Sequence, residues 1–182
     1  MINALGMVET NSIPKGIEAG DAMLKAAQVS LLSAQTACAG KYIVIVSGDV
    51  AAVKASVEAG AEIAEDAVVD TMMIPNVDAQ VLKAIASCTQ APEAGALGIM
   101  ETFSLASAIL CADQAVKAAD ISLIEIRLGR GLGGKSFVTM TGDVAAVNHA
   151  VKAASEFEDT KGMMARSVVI PSPHPDMIKA VY

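Results

Sequence analysis

GDVAAV stands twice in this chain, at residues 48–53 and again at residues 142–147, and that identity decides how the rest is read. Working outward from it, ALGMVETNSI from Ala4 falls on ALGIMETFSL from Ala96, a shift of 92, which also superposes Asp21 on Asp113 and Lys25-Ala26-Ala27 on Lys117-Ala118-Ala119. The shift is 94 at GDVAAV and 96 near the end, where Ile74-Pro75 answers Ile170-Pro171 and Lys83-Ala84 answers Lys179-Ala180. A collinear match along nearly the whole chain is a tandem duplication. It divides the 182 residues into one domain at 1–90 and a second at 93–182, joined by the turn-prone CTQAPEAG of residues 88–95.

Each repeat carries the same pattern of local signals. Residues 5–10 are an apolar strand, and Ser12 is placed to cap a helix over 13–27 that tolerates Pro14 in its first turn. Residues 29–36 and 41–47 flank a four-residue turn, which makes a hairpin. Asp49 then opens a helix with Val50, Val53 and Val57 on one stripe and Lys54, Glu58 and Glu62 on the other. Residues 68–74 form a closing strand, and 79–85 a short terminal helix. The order βαββαβ is the ferredoxin-like plan, an α+β fold with two helices on one face of an antiparallel sheet, here present in two tandem, unpermuted copies.

Composition limits the function. Hydrophobic residues make up 53% of the chain but aromatics only 3%, with no Trp, so the core is built from small aliphatic side chains. Small domains of this kind gain stability by burying more surface against copies of themselves. With a net charge of −7 and scattered basic residues, the electrostatic footprint of a nucleic-acid binder is missing. Residues 103–112 fall short of the roughly 20 apolar residues that span a bilayer, and the N-terminus lacks a basic start followed by an apolar run, so a cytoplasmic protein without a membrane partner is expected.

Side-chain catalysis has little support. His149 falls on the outer half of a helix, and His174 sits in the proline-stiffened PSPHP of residues 171–175; neither is matched in the other repeat. Residues 131–135, GLGGK, look like a phosphate cradle but continue into a strand, which favours a hairpin whose glycines supply positive φ. The three cysteines are widely spaced. Cys111 lies on a helix face as a small buried residue, Cys88 lies in the linker, and Cys38 stands at a hairpin tip. One thiol can neither hold a cluster nor close a disulfide within its own chain, so both a functional and an idle Cys38 remain open on spacing alone.

The opening ALG(M/I)xET, the helix ends AMLKAAQV and QAVKAADI, GLGGK before a strand, GDVAAV and the closing IPSPH together resemble the shell-protein domain of bacterial microcompartments. The resemblance covers both repeats and implies a tandem-domain homotrimer, a pseudohexameric tile with one central pore and no enzymatic activity of its own. In that family the hairpin turns line the pore, which assigns Ala37, Cys38, Ala39 and Gly40 from one repeat, and Arg130, Gly131, Leu132, Gly133 and Gly134 from the other. Within the family the chain is similar to the iron–sulfur type named for the propanediol-utilisation compartment, and this implies a [4Fe–4S] cluster shared by Cys38 of three chains, for electron relay or cluster exchange across the shell. Lys25 and Lys117 match the lysine used at the boundary between tiles. Other shell proteins, and an encapsulated or cytosolic redox enzyme, are the implied partners. One departure stands out: the family's closing Pro-Arg-Pro-His has Ser172 here, and Asn76 in the first repeat, so tiling is expected to be weaker or confined to mixing with other shell proteins. The alternatives are a tile with a plain metabolite pore and no cluster, and a tandem ligand-sensing regulatory domain.

Overall fold

In the computed structural model, which describes residues 4–89, 95–129 and 131–181, the first apolar run forms β1 (Ala4–Thr10), buried along its whole length. Then follow α1 (Ile13–Ala26), β2 (Ser30–Ala37), β3 (Lys41–Gly48), α2 (Val50–Ala64) and β4 (Val68–Pro75). After α3 (Ala79–Ile85) the order repeats as β5 (Ala96–Thr102), α4 (Leu105–Ala118), β6 (Ser122–Leu128), β7 (Ser136–Gly142), α5 (Val144–Ser155), β8 (Met164–Ile170) and α6 (Pro175–Val181). Both sheets are antiparallel, with strand orders β2-β3-β1-β4 and β6-β7-β5-β8, so the βαββαβ expectation holds. The duplication extends to irregularities: the register slips between Leu31 and Ser33 and between Leu123 and Glu125, and again between Glu9/Thr10 and between Glu101/Thr102.

The first compact unit takes residues 4–77 together with Ser104–Ala106 and the described part of Gly129–Gly134. Its core joins Ala4 and Val8 of β1, Val44 and Val46 of β3, Met23 of α1, and Val53 and Val57 of α2. Small residues let these layers close up: a Cβ on Gly6 would stand 2.6 Å from side-chain carbons of both Val53 and Val57, and one on Gly60 would stand 2.5 Å from Met23. Val50 departs from the expected apolar stripe and is exposed, because it occupies the first helical residue, one turn ahead of the part of α2 that covers the sheet. Ser12 does occupy the N-cap position of α1, but its side chain makes no capping bond; Thr10 Oγ1 instead donates to Ser12 O at 2.9 Å and holds the chain entering the helix.

The second compact unit takes the described residues of Asp78–Phe103, Ser107–Leu128 and 135–181. Here α5 packs on β5, β7 and β8, and Ile109, Cys111 and Ala115 of α4 and Val147, Ala150 and Ala154 of α5 are all buried. The helix expected to close the first repeat, α3, packs in this unit against the edge strand β6. Asp78 Oδ1 accepts from Gln80 N at 2.8 Å and caps the helix; Gln80 then donates through Nε2 to Ile121 O at 3.2 Å and accepts from Leu123 N at 3.0 Å. A side-chain amide is suited to this because it presents a donor and an acceptor to the open edge of a sheet.

Candidate functional site

Two turns meet within the first unit. The β2–β3 hairpin turns through the 3-10 stretch Cys38–Gly40, with φ of 64° at Ala39 and 73° at Gly40. Ala39 holds a left-handed conformation that costs a non-glycine residue on the order of 1 kcal/mol, so the surrounding contacts must hold the turn in shape. The other turn runs through Gly129, Gly131, Gly133 and Gly134, at φ of 61°, 73°, 61° and 86°, as the glycine spacing predicts. A Cβ on Gly131 or Gly133 would meet nothing, so it is the backbone sign and not space that requires glycine there.

The two turns are pinned to each other by their backbones. Cys38 N donates to Gly129 O at 2.7 Å, and Gly131 N donates to Cys38 Sγ at 2.7 Å. Ala37 and Ala39 lie against Gly129 and Gly134, whose added Cβ atoms would stand 3.1 and 3.4 Å from the alanine methyls. The structure therefore gathers Ala37, Cys38, Ala39 and Gly40 with Gly131, Leu132, Gly133 and Gly134, leaving Cys38 and Leu132 half-buried. Arg130, assigned to the same loop from the sequence, lies outside the described residues.

Beneath the turns sits a charged cluster whose role no sequence motif discloses. Glu9 is fully buried; its Oε1 meets Lys41 Nζ at 2.6 Å, and its Oε2 accepts from Leu105 N at 2.7 Å and from Ala106 N at 3.3 Å. Lys41 also donates to Gly134 O at 3.0 Å, so a single ammonium ties the first strand to the glycine turn. A buried carboxylate needs such a full set of partners, since desolvating it alone would cost several kcal/mol. The sequence held a signal for this pair: an acid inside an otherwise apolar strand, repeated as Glu101, and the lysine that leaves each turn, Lys41 and Lys135. In the second unit the counterparts Glu101 and Lys135 pair at 3.1 Å with both side chains only half-buried. Lys135 thus points to an acid, and Gly131 N–H is already engaged by sulfur, which argues against a phosphate cradle at this turn.

The remaining candidates separate cleanly. Cys111 is buried beside Ala154 O, and burial pushes its thiol up to about 11 against the opposing hydrogen bond with Thr160. Cys88 is exposed and donates to Ala86 O at 3.3 Å. His149 and His174 are both exposed. Lys25, near the end of α1, pairs with Asp21 in solvent, whereas Lys117 pairs with a largely buried Asp113. On the outer face of the second sheet, Ile99, Arg127, Phe137, Thr139, Arg166 and Val181 are among the residues lining an open cleft of about 410 Å³, with the Arg127 guanidinium 5.0 Å from the Phe137 ring centre. Among the described residues no three His, Cys, Asp or Glu side chains gather as metal ligands, and no helix is long and apolar enough to cross a membrane.

The chemistry of the thiol fits an iron–sulfur centre in kind but not in number. Thiolate is the usual ligand of such clusters, and backbone N–H donation to sulfur is one of the means by which proteins tune them. One Cys38 per chain means that any such site has to be completed by further copies.

Comparison with known proteins bears on this arrangement. The BMC domain model matches residues 4–77 and again 96–173. The chain is 44% identical to the bacterial microcompartment shell protein PduT of Citrobacter freundii, over 97% of this chain and 96% of that one. A shorter relative, the shell protein PduA of the same organism, is 51% identical over 35% of this chain and 68% of its own length. Among solved structures, the crystal structure of a microcompartment protein from Desulfitobacterium hafniense DCB superposes with a TM-score of 0.87 at 54% identity, covering 99% of both chains.

Proposed function

This chain belongs to the bacterial microcompartment shell-protein family, and from that premise we propose that three copies form one tile, a ring of six similar units around a central pore whose rim alternates the Cys38 turn with the Gly131–Gly134 turn. The observation that carries the proposal is the joining of these two turns through Cys38 N to Gly129 O and Gly131 N to Cys38 Sγ. Two copies of one ancestral loop meet at one place, and only one of them bears a thiol. Threefold repetition of that arrangement supplies three thiols around one axis, a donor set that one chain lacks.

We further propose that the three Cys38 side chains hold one [4Fe–4S] cluster. Such a cluster supplies one-electron transfer, and three protein sulfurs leave one iron without a protein ligand. The chain's own part is structural and electrostatic. The bond from Cys38 N to Gly129 O fixes the direction of the turn, Gly131 N–H withdraws charge from sulfur, and the Lys41–Glu9 pair keeps the glycine turn in register beneath it. The relatives are shell proteins, which are structural and not enzymes, so the role proposed is a tile that passes electrons or exchanges a cluster across the shell, in contact with other shell proteins and a redox enzyme on one side. Lys25 and Lys117 are proposed as contacts between tiles, with Ser172 in place of the family's arginine favouring mixed sheets.

The test is an oxygen-free preparation, reconstituted with iron and sulfide, analysed for metal, absorbance and mass. One cluster per three chains in a trimeric protein, lost in Cys38→Ser while the trimer persists, is the expected result. A trimer that takes up no iron would leave a plain pore, and a twofold dimer would remove the tile altogether.

A further inference from the structure

A second carboxylate stands beside the buried Glu9. Asp70 of β4 lies directly opposite it across the β1–β4 ladder, and the register slips immediately afterwards, so that Thr10 faces Val68. A bulge of this kind re-aims a side chain. Asp70 Oδ2 accepts from Ser104 Oγ, and Asp70 Oδ1 accepts from Thr71 N at 2.9 Å. Ser104 is buried and immediately precedes α4, where the N–H groups of Leu105 and Ala106 end on Glu9 Oε2. Two carboxylates therefore hold one helix start, at the end of the helix dipole that favours negative charge.

That helix start carries Leu105, which is fully buried against the glycine turn. A Cβ added to Gly129 would stand 3.2 Å from Leu105 Cδ2 and 3.1 Å from the Ala37 methyl, so Gly129 is gripped between the two. Gly129 O in turn receives Cys38 N. A line of contacts thus runs from Asp70 through Ser104, Leu105 and Gly129 to the backbone of the thiol-bearing residue, separate from the tie between Lys41 and Gly134 O. The second repeat keeps the serine, as Ser12, but by register the counterpart of Asp70 is Arg166, which has no acceptor to offer a hydroxyl. Only the repeat that bears Cys38 bears this acid.

We propose that Asp70 and Ser104 are positioning residues for Cys38: they fix Leu105 against Gly129, and so fix the direction in which the Cys38 turn presents its sulfur. The inference rests on the cluster reading above for its purpose, while its geometry lies within one chain. A cluster shared by three chains needs three sulfurs held at once, and such a site tolerates misplacement of only about half an ångström. Glu9 and Lys41 anchor the glycine turn at Gly134, and Asp70 anchors it, through Leu105, at its other end, Gly129.

The test compares Asp70→Ala, Asp70→Asn and Ser104→Ala with Ser56→Ala, which removes a buried hydroxyl bonded to Met23 O at 2.9 Å. Apo protein prepared without oxygen is treated with iodoacetamide. Alkylation of Cys38 is followed by peptide mass spectrometry, beside the hydrogen exchange of the Cys38 and Gly131 amides. In Asp70→Ala and Ser104→Ala both rates should rise about tenfold at unchanged oligomer mass, the effect on an equilibrium of one hydrogen bond to a charged group. Asp70→Asn keeps one acceptor and should fall between these and the wild type. After reconstitution with iron and sulfide, the same variants should lose iron to a chelator faster by a similar factor. Ser56→Ala should lower the melting temperature and leave alkylation, exchange and iron release as in the wild type. In a Leu105→Val background Asp70→Ala should add little, because the two residues act in series. Asp70→Asn and Ser104→Ala carry the test where Asp70→Ala does not fold. Variants that melt lower yet label, exchange and release iron as the wild type does would make the pair merely structural and overturn the proposal. A wild type that takes up no iron contradicts the cluster reading alone, and the alkylation and exchange rates of the apo chain still decide the positioning role.

Discussion

Replacing Glu9 by alanine is the sharpest perturbation the structure offers. The carboxylate is fully buried and holds three partners, Lys41 Nζ at 2.6 Å, Leu105 N at 2.7 Å and Ala106 N at 3.3 Å. Without it, an ammonium whose side chain is only 12% exposed loses its counter-charge, and two backbone donors lose their acceptor. Breaking a buried pair in this way costs about 3–5 kcal/mol. For a chain of this length that corresponds to a fall of roughly 6–20 °C in melting temperature. Glu9→Gln keeps an acceptor oxygen and should lose about 1.5–3 kcal/mol, the worth of a charge-assisted hydrogen bond. The double variant Glu9→Ala/Lys41→Met removes both charges and should be more stable than the sum of the single losses predicts, by on the order of 1–3 kcal/mol. The repeat supplies an internal control: Glu101→Ala breaks a pair whose side chains are 40–42% exposed, and on the dissociated chain it should cost about 1 kcal/mol or less. The assay is urea unfolding followed by far-UV circular dichroism, at matched protein concentration because assembly adds stability by mass action. If Glu9→Ala and Glu101→Ala lose equal stability on the dissociated chain, the argument from burial is wrong.

Other outcomes follow from the same structure. Gly131→Ala, at φ 73° with open space around the added methyl, should cost roughly 1–2 kcal/mol through backbone strain alone, and should weaken iron retention before it lowers trimer mass. Gly6→Val places carbons where Val53 and Val57 already stand and should prevent soluble expression or cost several kcal/mol, read as insoluble protein or a collapsed melting curve. The Cys111 thiol, held near 11 by burial, stays protonated in the folded chain after the unfolded thiol has ionised. Its stabilising contribution is therefore complete below about pH 9 and is lost as pH rises toward 11, a fall of about 2–3 kcal/mol that Cys111→Ala should flatten in unfolding curves at pH 8, 9.5 and 11. A thiol reagent at neutral pH should label Cys88 rapidly, Cys111 only on unfolding, and Cys38 in the apo protein but not in the cluster-loaded one.

The duplication and the apolar periodicity made the two βαββαβ units legible, because each element carries its own local signal and the second copy corroborates the first. Positive φ at the glycine turn was legible for the same reason. What the sequence could not disclose depends on tertiary neighbours. Val50 fits the helical stripe of Val53 and Val57, and only the position of the sheet shows that α2 begins one turn too early to bury it. Helix α3 reads as the last element of the first repeat, but the pairing of Gln80 with Ile121 and Leu123 shows that it finds its apolar partner on β6. Glu9 reads as a polar residue near the end of a strand; its role rests on Leu105 and Ala106, nearly a hundred residues along the chain. The thiol at Cys38 was visible from the start, and its tie to Gly131 N was not, since nothing local links the two turns.

The most direct test of the account is an electron-microscopy or crystallographic image of the assembled protein, prepared without oxygen, at a resolution that locates residue 38. The account requires a threefold particle with the three Cys38 sulfurs converging on its axis and density for an inorganic core between them. Cys38 turned outward to the perimeter, or a particle built on a twofold axis, would contradict it.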